Sequence, residues 1–372
     1  MTIKRNIPVF SPVIGQEEND YVNDCLTSHW VSQGKYIRQF EEEFSHYSGC
    51  KYGIATSNCT VALHLAAIAL GLKEGDEVII SASTNMASAF SMYYCGAIPV
   101  PVDIEKDSWQ INTDLIQSKI TDRTKVIMAV HLFGHPVDMD PLMKIAKKYN
   151  LKVIEDCAEA HGAEYNEKRV GSFGDIACFS FYANKIITCG EGGMVVTNSL
   201  SLADKVRSYG NLCYGKKQRF MHEGIGYNYR LSNISAALGL GQFRRIDKIL
   251  ERKRYIYERY KKKLENLQGF HIPVISAWAK SVMWMFNAYL SSEFGISRDQ
   301  LMDELKNNGI ETREAFVPIN KQNVFLERGL VHEDDCPVAN YIMDSGFYLP
   351  SGLNLTDEDI DYVCACIVNL KK

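Results

Sequence analysis

The chain has 372 residues, 46% hydrophobic and 23% charged. That is a globular balance, with length for a large core and two or three domains. A net charge of −4 with no long basic block sets nucleic acid aside as a partner, and the Lys261, Lys262 and Lys263 run reads as the solvated face of a helix. No apolar stretch is long enough to cross a membrane, and the N-terminus, residues 1–6, lacks the apolar core of a secretory signal. The 11 cysteines show no metal-ligand spacing; Cys364 and Cys366 have no completing partners nearby. Several, such as Cys157 and Cys178, fall inside apolar runs, which points to reduced core residues in a cytoplasmic protein.

In chain order, the pattern predicts a helix over 17–26, a loop over 30–34 and a second helix over 36–47. A short strand over 52–56 follows, and Ser57-Asn58-Cys59-Thr60 caps a helix over 61–70. Strand 76–80, helix 86–95 and strand 98–103 come next, then strand 126–130, helix 139–149 and strand 152–155. Segments 176–182 and 193–197 are two strands with no helix between them. Strand-helix alternation predicts an α/β fold with a mostly parallel sheet flanked by helices, and the last pair makes that sheet mixed. From about Ser232 the character changes: one long helix over 233–267, a strand over 286–290 and helices over 298–308 and 356–370. These divide the chain into a large domain, 1–240, and a smaller C-terminal α+β domain, 241–372.

Two of these strands end in reactive groups. The strand near 152 ends in Glu155-Asp156-Cys157-Ala158-Glu159, and the run Phe179-Ser180-Phe181-Tyr182 leads to Lys185, 29 residues beyond Asp156. A lysine amine can form a Schiff base with the aldehyde of pyridoxal 5'-phosphate, and a buried aspartate can hold the pyridine nitrogen protonated. Taken singly, each has an ordinary explanation: a solvated strand end for the lysine, a turn or cap for the aspartate. The helix start at Ser57-Asn58-Cys59-Thr60 offers free N–H groups and a hydroxyl for a phosphate, and Ser180 adds another hydroxyl. An ordinary N-cap is the alternative. Gly190-Glu191-Gly192-Gly193 lacks dinucleotide-fingerprint spacing and reads as a tight turn beside the cofactor. In Gly226-Tyr227-Asn228-Tyr229-Arg230, Asn228 and Arg230 suit a phosphate or carboxylate.

With these pieces together the chain resembles the DegT-type sugar-nucleotide aminotransferases, a branch of the aspartate-aminotransferase-like (fold type I) enzymes. The matching residues are Glu155-Asp156-Cys157-Ala158-Glu159-Ala160, Asn184-Lys185, Gly190-Glu191-Gly192-Gly193-Met194-Val195, Ile225-Gly226-Tyr227-Asn228-Tyr229-Arg230 and Glu311-Thr312-Arg313. The resemblance implies that Lys185 is the Schiff-base lysine and proton shuttle. Asp156 then pairs with the pyridine nitrogen and Glu159 lies near the ring hydroxyl. Cys59, Thr60 and Ser180 hold the phosphate, with Asn228 reaching it from the neighbouring subunit of a homodimer with composite active sites. Arg313 and the loop carrying Trp30 and Ser32 lie near the substrates, with L-glutamate as donor. The implied acceptor is a nucleotide-linked 4-keto-6-deoxyhexose such as GDP-4-keto-6-deoxymannose, used for surface polysaccharide. A smaller keto-phosphate acceptor such as dihydroxyacetone phosphate is the alternative. A sugar dehydratase is disfavoured because Lys185 is present, and a non-catalytic regulator because the site set is intact. Relatives usually carry a ring-stacking aromatic where this chain has Asn85, in Thr84-Asn85-Met86. His161 or Met86 is then expected to cover the ring, unless Asn85 is simply a turn residue. The stretches 211–223 and 273–288, the latter containing Trp278 and Trp284, depart from the pattern and are expected at the acceptor.

Overall fold

The computed structural model describes residues 5–215, 218 and 220–371. Residues 1–4, on which the reading of the N-terminus partly rests, lie outside the described residues. So do 216, 217 and 219 of the divergent stretch 211–223.

Seven strands form the central sheet, in the order Tyr52–Thr56, Gly193–Thr197, Ile176–Ser180, Lys152–Asp156, Thr124–Val130, Glu77–Ser81, Ile98–Val102. Gly193–Thr197 is antiparallel to both its neighbours and the remaining pairs are parallel, the mixed sheet expected from the close pair 176–182 and 193–197. The strands are apolar on both faces because both are covered. Val78 and Ile80 join Ala62, Leu65 and Ala66 of the helix Cys59–Leu70 on one side, whereas Ile79, Ile127 and Val153 meet Leu142 and Ala146 of the helix Met139–Lys148 on the other. Parallel register brings the carboxyl ends of three central strands to one edge: Val130 pairs with Asp156, and Asp156 with Cys178. In open α/β sheets that edge is where ligands bind.

The C-terminal part is an antiparallel sheet ordered Phe270–His271, Phe286–Leu290, Gly346–Leu349, Arg313–Glu314. Ile256 and Tyr260, Leu301 and Leu305, and Val363 and Ile367 pack on Phe286 and Phe347 from three helices, Ile246–Leu264, Arg298–Asn307 and Asp357–Leu370. This is the expected α+β arrangement. The chain crosses the division at 240/241 in both directions. Ile7 bridges Ile310, Val9 N–H donates to the Glu311 carboxylate at 2.9 Å, and Ala279–Lys280 pairs with Glu164–Tyr165.

The single helix expected over 233–267 is instead two, Asn233–Arg244 and Ile246–Leu264, separated at Arg245 with φ −112° and ψ 19°. No proline or glycine sits at the break. The cause is tertiary: Glu18 is buried, and Arg245 Nε donates to its Oε1 at 2.7 Å, with Gln242 donating to the same oxygen. A buried carboxylate needs such partners, and meeting Glu18 takes Arg245 out of helical geometry.

Candidate active site

Lys185 follows the strand Ile176–Ser180 by one short turn, in which its N–H donates to Tyr182 O at 3.0 Å. The side chain enters a cavity of about 410 Å³ at the carboxyl edge of the sheet. There its Nζ lies 3.2 Å from Glu159 Oε1 and 4.3 Å from the centroid of the Trp284 ring. Trp284 is itself fixed to the lysine turn, its indole N–H donating to Asn184 O at 2.7 Å. Glu159 Oε2 accepts from Phe133 N–H at 2.8 Å. Burial pushes the Glu159 carboxyl upward, against the opposing charge of Lys185.

Asp156 ends the adjacent strand and lines the same cavity. Its Oδ2 accepts from Ser88 Oγ at 2.7 Å and its Oδ1 from Ala158 N–H at 3.0 Å. Burial raises its pKa, opposed by Ser88, Ala158, Lys185 and His131. His131, next after the strand Thr124–Val130, also lines the cavity. Its Nδ1 accepts from Val137 N–H at 3.0 Å, so Nε2 is the nitrogen that donates to Glu155, 3.2 Å away. Glu155 also accepts from the N–H groups of Gly171, Phe173 and Gly174. Burial raises its pKa, but the His131 bond and these amides outweigh that and leave it lowered. His131, Glu155 and Cys157 present ligand-type atoms within 4.8 Å of one another. The spacing in the sequence did not suggest this grouping, and the hydrogen bonds of Glu155 and His131 already commit both side chains internally.

The helix Cys59–Leu70 starts at the cavity wall. Asn58 caps it, its Oδ1 accepting from Val61 N–H at 3.0 Å. The cap takes the third N–H and leaves the first two, on Cys59 and Thr60, as orphan donors at the positive end of the helix. Both residues line the cavity, as does Ser180. The glycine turn fits tightly against this loop: a Cβ on Gly193 would lie 2.5 Å from Asn58 O. The site thus combines an amine, a buried carboxylate and an anion-binding helix end.

Seven residues singled out from the sequence, Cys59, Thr60, Asn85, Asp156, Glu159, Ser180 and Lys185, meet in this one cavity. Asn85 has a second duty as N-cap of the helix Met86–Tyr93, its Oδ1 accepting from Ala87 N–H at 3.0 Å. The turn reading therefore holds for it alongside its place in the wall. His161, expected to cover the ring, does not line the cavity. It is fully buried among Phe44, Phe179 and Phe181, and burial, then the charge of Lys185, holds its pKa down to about 3. Met86 does not line it either; the Phe, Tyr and Trp side chains that do are Tyr182, Trp284, Phe316 and Tyr348. Of the two divergent tryptophans, Trp278 stands away, packed against Tyr165 and His135. Ser32, Asn228 and Arg230 lie in a separate groove of about 500 Å³. In it Arg230 donates to Asn228 Oδ1 at 2.7 Å and to Asn211 Oδ1 at 2.8 Å. Trp30 is 65% exposed. Arg313 pairs with Glu311 and sits opposite Tyr348 across the small sheet, so it adjoins the cavity without lining it. Sequence reading did not find Ser88 or His131; Trp284, in a stretch expected at the acceptor, lines the cavity. His131 offered a signal, a histidine directly after a parallel strand.

Residues 12–368 match the model of the DegT/DnrJ/EryC1/StrS aminotransferase family. The chain belongs to that family. It is a pyridoxal-phosphate-dependent aminotransferase of the sugar-modifying kind. It is 42% identical over 362 residues to the GDP-perosamine synthase of Escherichia coli O157:H7, with 97% of each chain covered. Among solved structures it is similar to S. venezuelae DesV in complex with a ketimine intermediate, at 32% identity and TM-score 0.89, covering 96% of this chain and 94% of the other. It is also similar to the PLP form of the putative sugar aminotransferase Spr1654 from Streptococcus pneumoniae, at 26% identity and TM-score 0.93, covering 99% of both. The residues present fit the cofactor. Asp156 can take a protonated ring nitrogen, Lys185 the aldehyde, and the amides of Cys59 and Thr60 with the hydroxyls of Thr60 and Ser180 the phosphate.

Proposed function

We propose that the enzyme transfers the amino group of L-glutamate to a nucleotide-linked 4-keto-6-deoxyhexose, with GDP-4-keto-6-deoxymannose as acceptor, to make a precursor of surface polysaccharide. The single observation that carries the chemistry is Lys185 Nζ inside the cavity, 3.2 Å from Glu159 and beside the strand end that holds Asp156. Bound pyridoxal phosphate supplies an electron sink for the carbon that bears the amine. The protein's own groups do the rest. The Lys185 amine would take the proton from that carbon as general base and deliver it as general acid to the carbon that carried the cofactor's aldehyde, and move a proton the opposite way in the second half-reaction. The Asp156 carboxylate keeps a proton at the pyridine nitrogen. The helix N-terminus at Cys59 and Thr60 anchors the phosphate. Trp284 screens the amine from water.

We further propose that the enzyme works as a homodimer in which Asn228 completes the phosphate site of the other subunit. Its separation from the Lys185 cavity within one chain supports this reading. A cytoplasmic setting goes with it: the eleven cysteines are all unpaired, and nine of them are buried. Among the described residues no helix is long and apolar enough to cross a membrane.

The test is spectroscopic. L-glutamate should bleach the visible band of the purified holoenzyme, and GDP-4-keto-6-deoxymannose should restore it. Restoration by dihydroxyacetone phosphate but not by the nucleotide sugar would move the acceptor to the smaller class. A band untouched by any amino donor would refute transamination.

A further inference from the structure

Ser88 lies in the first turn of the helix Met86–Tyr93 and is almost fully buried. Its Oγ is 2.7 Å from Asp156 Oδ2 on one side and 2.9 Å from Thr84 Oγ1, also buried, on the other. A hydroxyl has one proton to give. If Ser88 donates to Asp156, it must accept from Thr84, and the two hydroxyls form a chain polarised toward the carboxylate. Ala158 N–H holds the other oxygen at 3.0 Å, so donors from two different segments fix both ends of the Asp156 side chain.

We propose that Ser88, backed by Thr84, is a positioning residue for transamination: its hydroxyl keeps Asp156 ionised and aimed, so that the carboxylate can hold a proton on the pyridine nitrogen. This rests on the placement of pyridoxal phosphate in the Lys185 cavity. The physical contest is between burial, which favours the neutral carboxyl, and donors, which favour the anion. The charged or titratable groups facing Asp156 are Lys185, His131, Cys59, Cys157, Cys178 and Glu159. Lys185 is the cation among them, and its amine is engaged in the chemistry. The hydroxyl chain is thus a support for the anion that stays in place through both half-reactions. Thr84 also lines the cavity, so the chain runs from the cavity wall to the carboxylate.

The experiment uses the holoenzyme loaded with pyridoxal phosphate carrying ¹⁵N in the ring, with the nitrogen signal read by NMR. In the wild type the signal is that of a protonated pyridine. In Ser88→Ala it should move toward the position seen in Asp156→Asn, with kcat falling about 10- to 100-fold, the scale of one lost bond to a buried charge. Ser88→Thr keeps the hydroxyl and should restore both readings. Thr84→Val should give a smaller displacement of the same sign. A Ser88→Ala enzyme with the wild-type nitrogen signal would overturn the proposal, because a residue that only packs the helix has no reason to move that signal or to leave it to a hydroxyl rescue. If Ser88→Ala does not fold, Thr84→Val decides alone, and an unmoved signal overturns the relay. Failure of the wild-type protein to retain the labelled cofactor would sink the cofactor placement itself, a different result from a loaded enzyme indifferent to Ser88.

Discussion

Lys185 differs from the lysines of the surface in what its Nζ touches: one carboxylate oxygen and the face of a tryptophan, inside a cavity. Its removal should therefore abolish the chemistry while leaving the binding groups, since Asp156 and the Cys59 helix start belong to other elements. We expect Lys185→Ala to fold, to bind pyridoxal phosphate reversibly and to show no detectable turnover. Borohydride reduction of the wild-type holoenzyme should attach the cofactor to the peptide containing Lys185, and label on any other lysine would refute the assignment. At this scale Lys185 and Asp156 were legible because Asp156 ends an apolar strand and Lys185 follows another by one short turn, positions a one-dimensional pattern can show. The bond from Trp284 to Asn184 was not, since it spans 100 residues of sequence and no spacing reveals it. His161 misled by proximity. It stands two residues after Glu159, but its imidazole falls on the core side, among phenylalanines.

Strands and helices carry these residues at fixed spacing, and two contacts between elements can be tested. The strand Gly193–Thr197 begins hard against the loop proposed to hold the phosphate, where a Cβ on Gly193 would meet Asn58 O at 2.5 Å and Thr56 Oγ1 at 2.7 Å. Backbone cannot yield as a flexible side chain does, so Gly193→Ala should displace the Asn58 cap and the first turn behind it. We expect cofactor affinity to drop at least about tenfold, roughly 1.4 kcal/mol, the order of a lost helix cap. Titration of apoenzyme with pyridoxal phosphate measures this; unchanged affinity would show that the loop relaxes freely. The second contact is Lys253, fully buried on the helix Ile246–Leu264, whose Nζ donates to Trp284 O at 2.8 Å and Ser351 O at 2.7 Å. Its hydrogen-bond partners are carbonyls rather than a carboxylate, and burial lowers its pKa to about 7. Between that value and the ordinary lysine range near 10.5, the unfolded chain holds a proton that the folded chain has released, so stability rises with pH across this window. The wild type should therefore gain stability over Lys253→Met between pH 7 and 10, by up to about 1.4 kcal/mol per pH unit. Urea unfolding at several pH values gives the difference, in which contributions from tyrosines and cysteines common to both proteins cancel. Parallel pH profiles would mean that the two carbonyls keep the amine protonated.

For the whole molecule, the mixed sheet was legible because strand-helix alternation fixes parallel order and the missing helix between 180 and 193 forces one reversal. The break at Arg245 was not, since no proline or glycine stands at it and the side chain there meets Glu18, far away in sequence. The groove holding Asn228 is likewise silent about its purpose within one chain. Asn228 hydrogen-bonds Arg230, and Tyr229 O accepts from Ser57 N–H at 2.8 Å, which ties this segment to the end of the strand Tyr52–Thr56 without putting Asn228 in the Lys185 cavity. If each subunit lends Asn228 to the other, a dimer of one Lys185→Ala and one Asn228→Ala protomer holds one site damaged twice and one site intact. Each parent homodimer has only damaged sites. Mixed, refolded and purified by two different tags, the heterodimer should recover about half of wild-type activity per dimer, far above either parent. If Asn228 served its own subunit, both sites of the heterodimer would stay damaged and activity would remain at the mean of the parents. Recovery in verified heterodimers therefore separates a shared site from two independent ones, and its absence would return Asn228 to the role of a surface partner for Arg230.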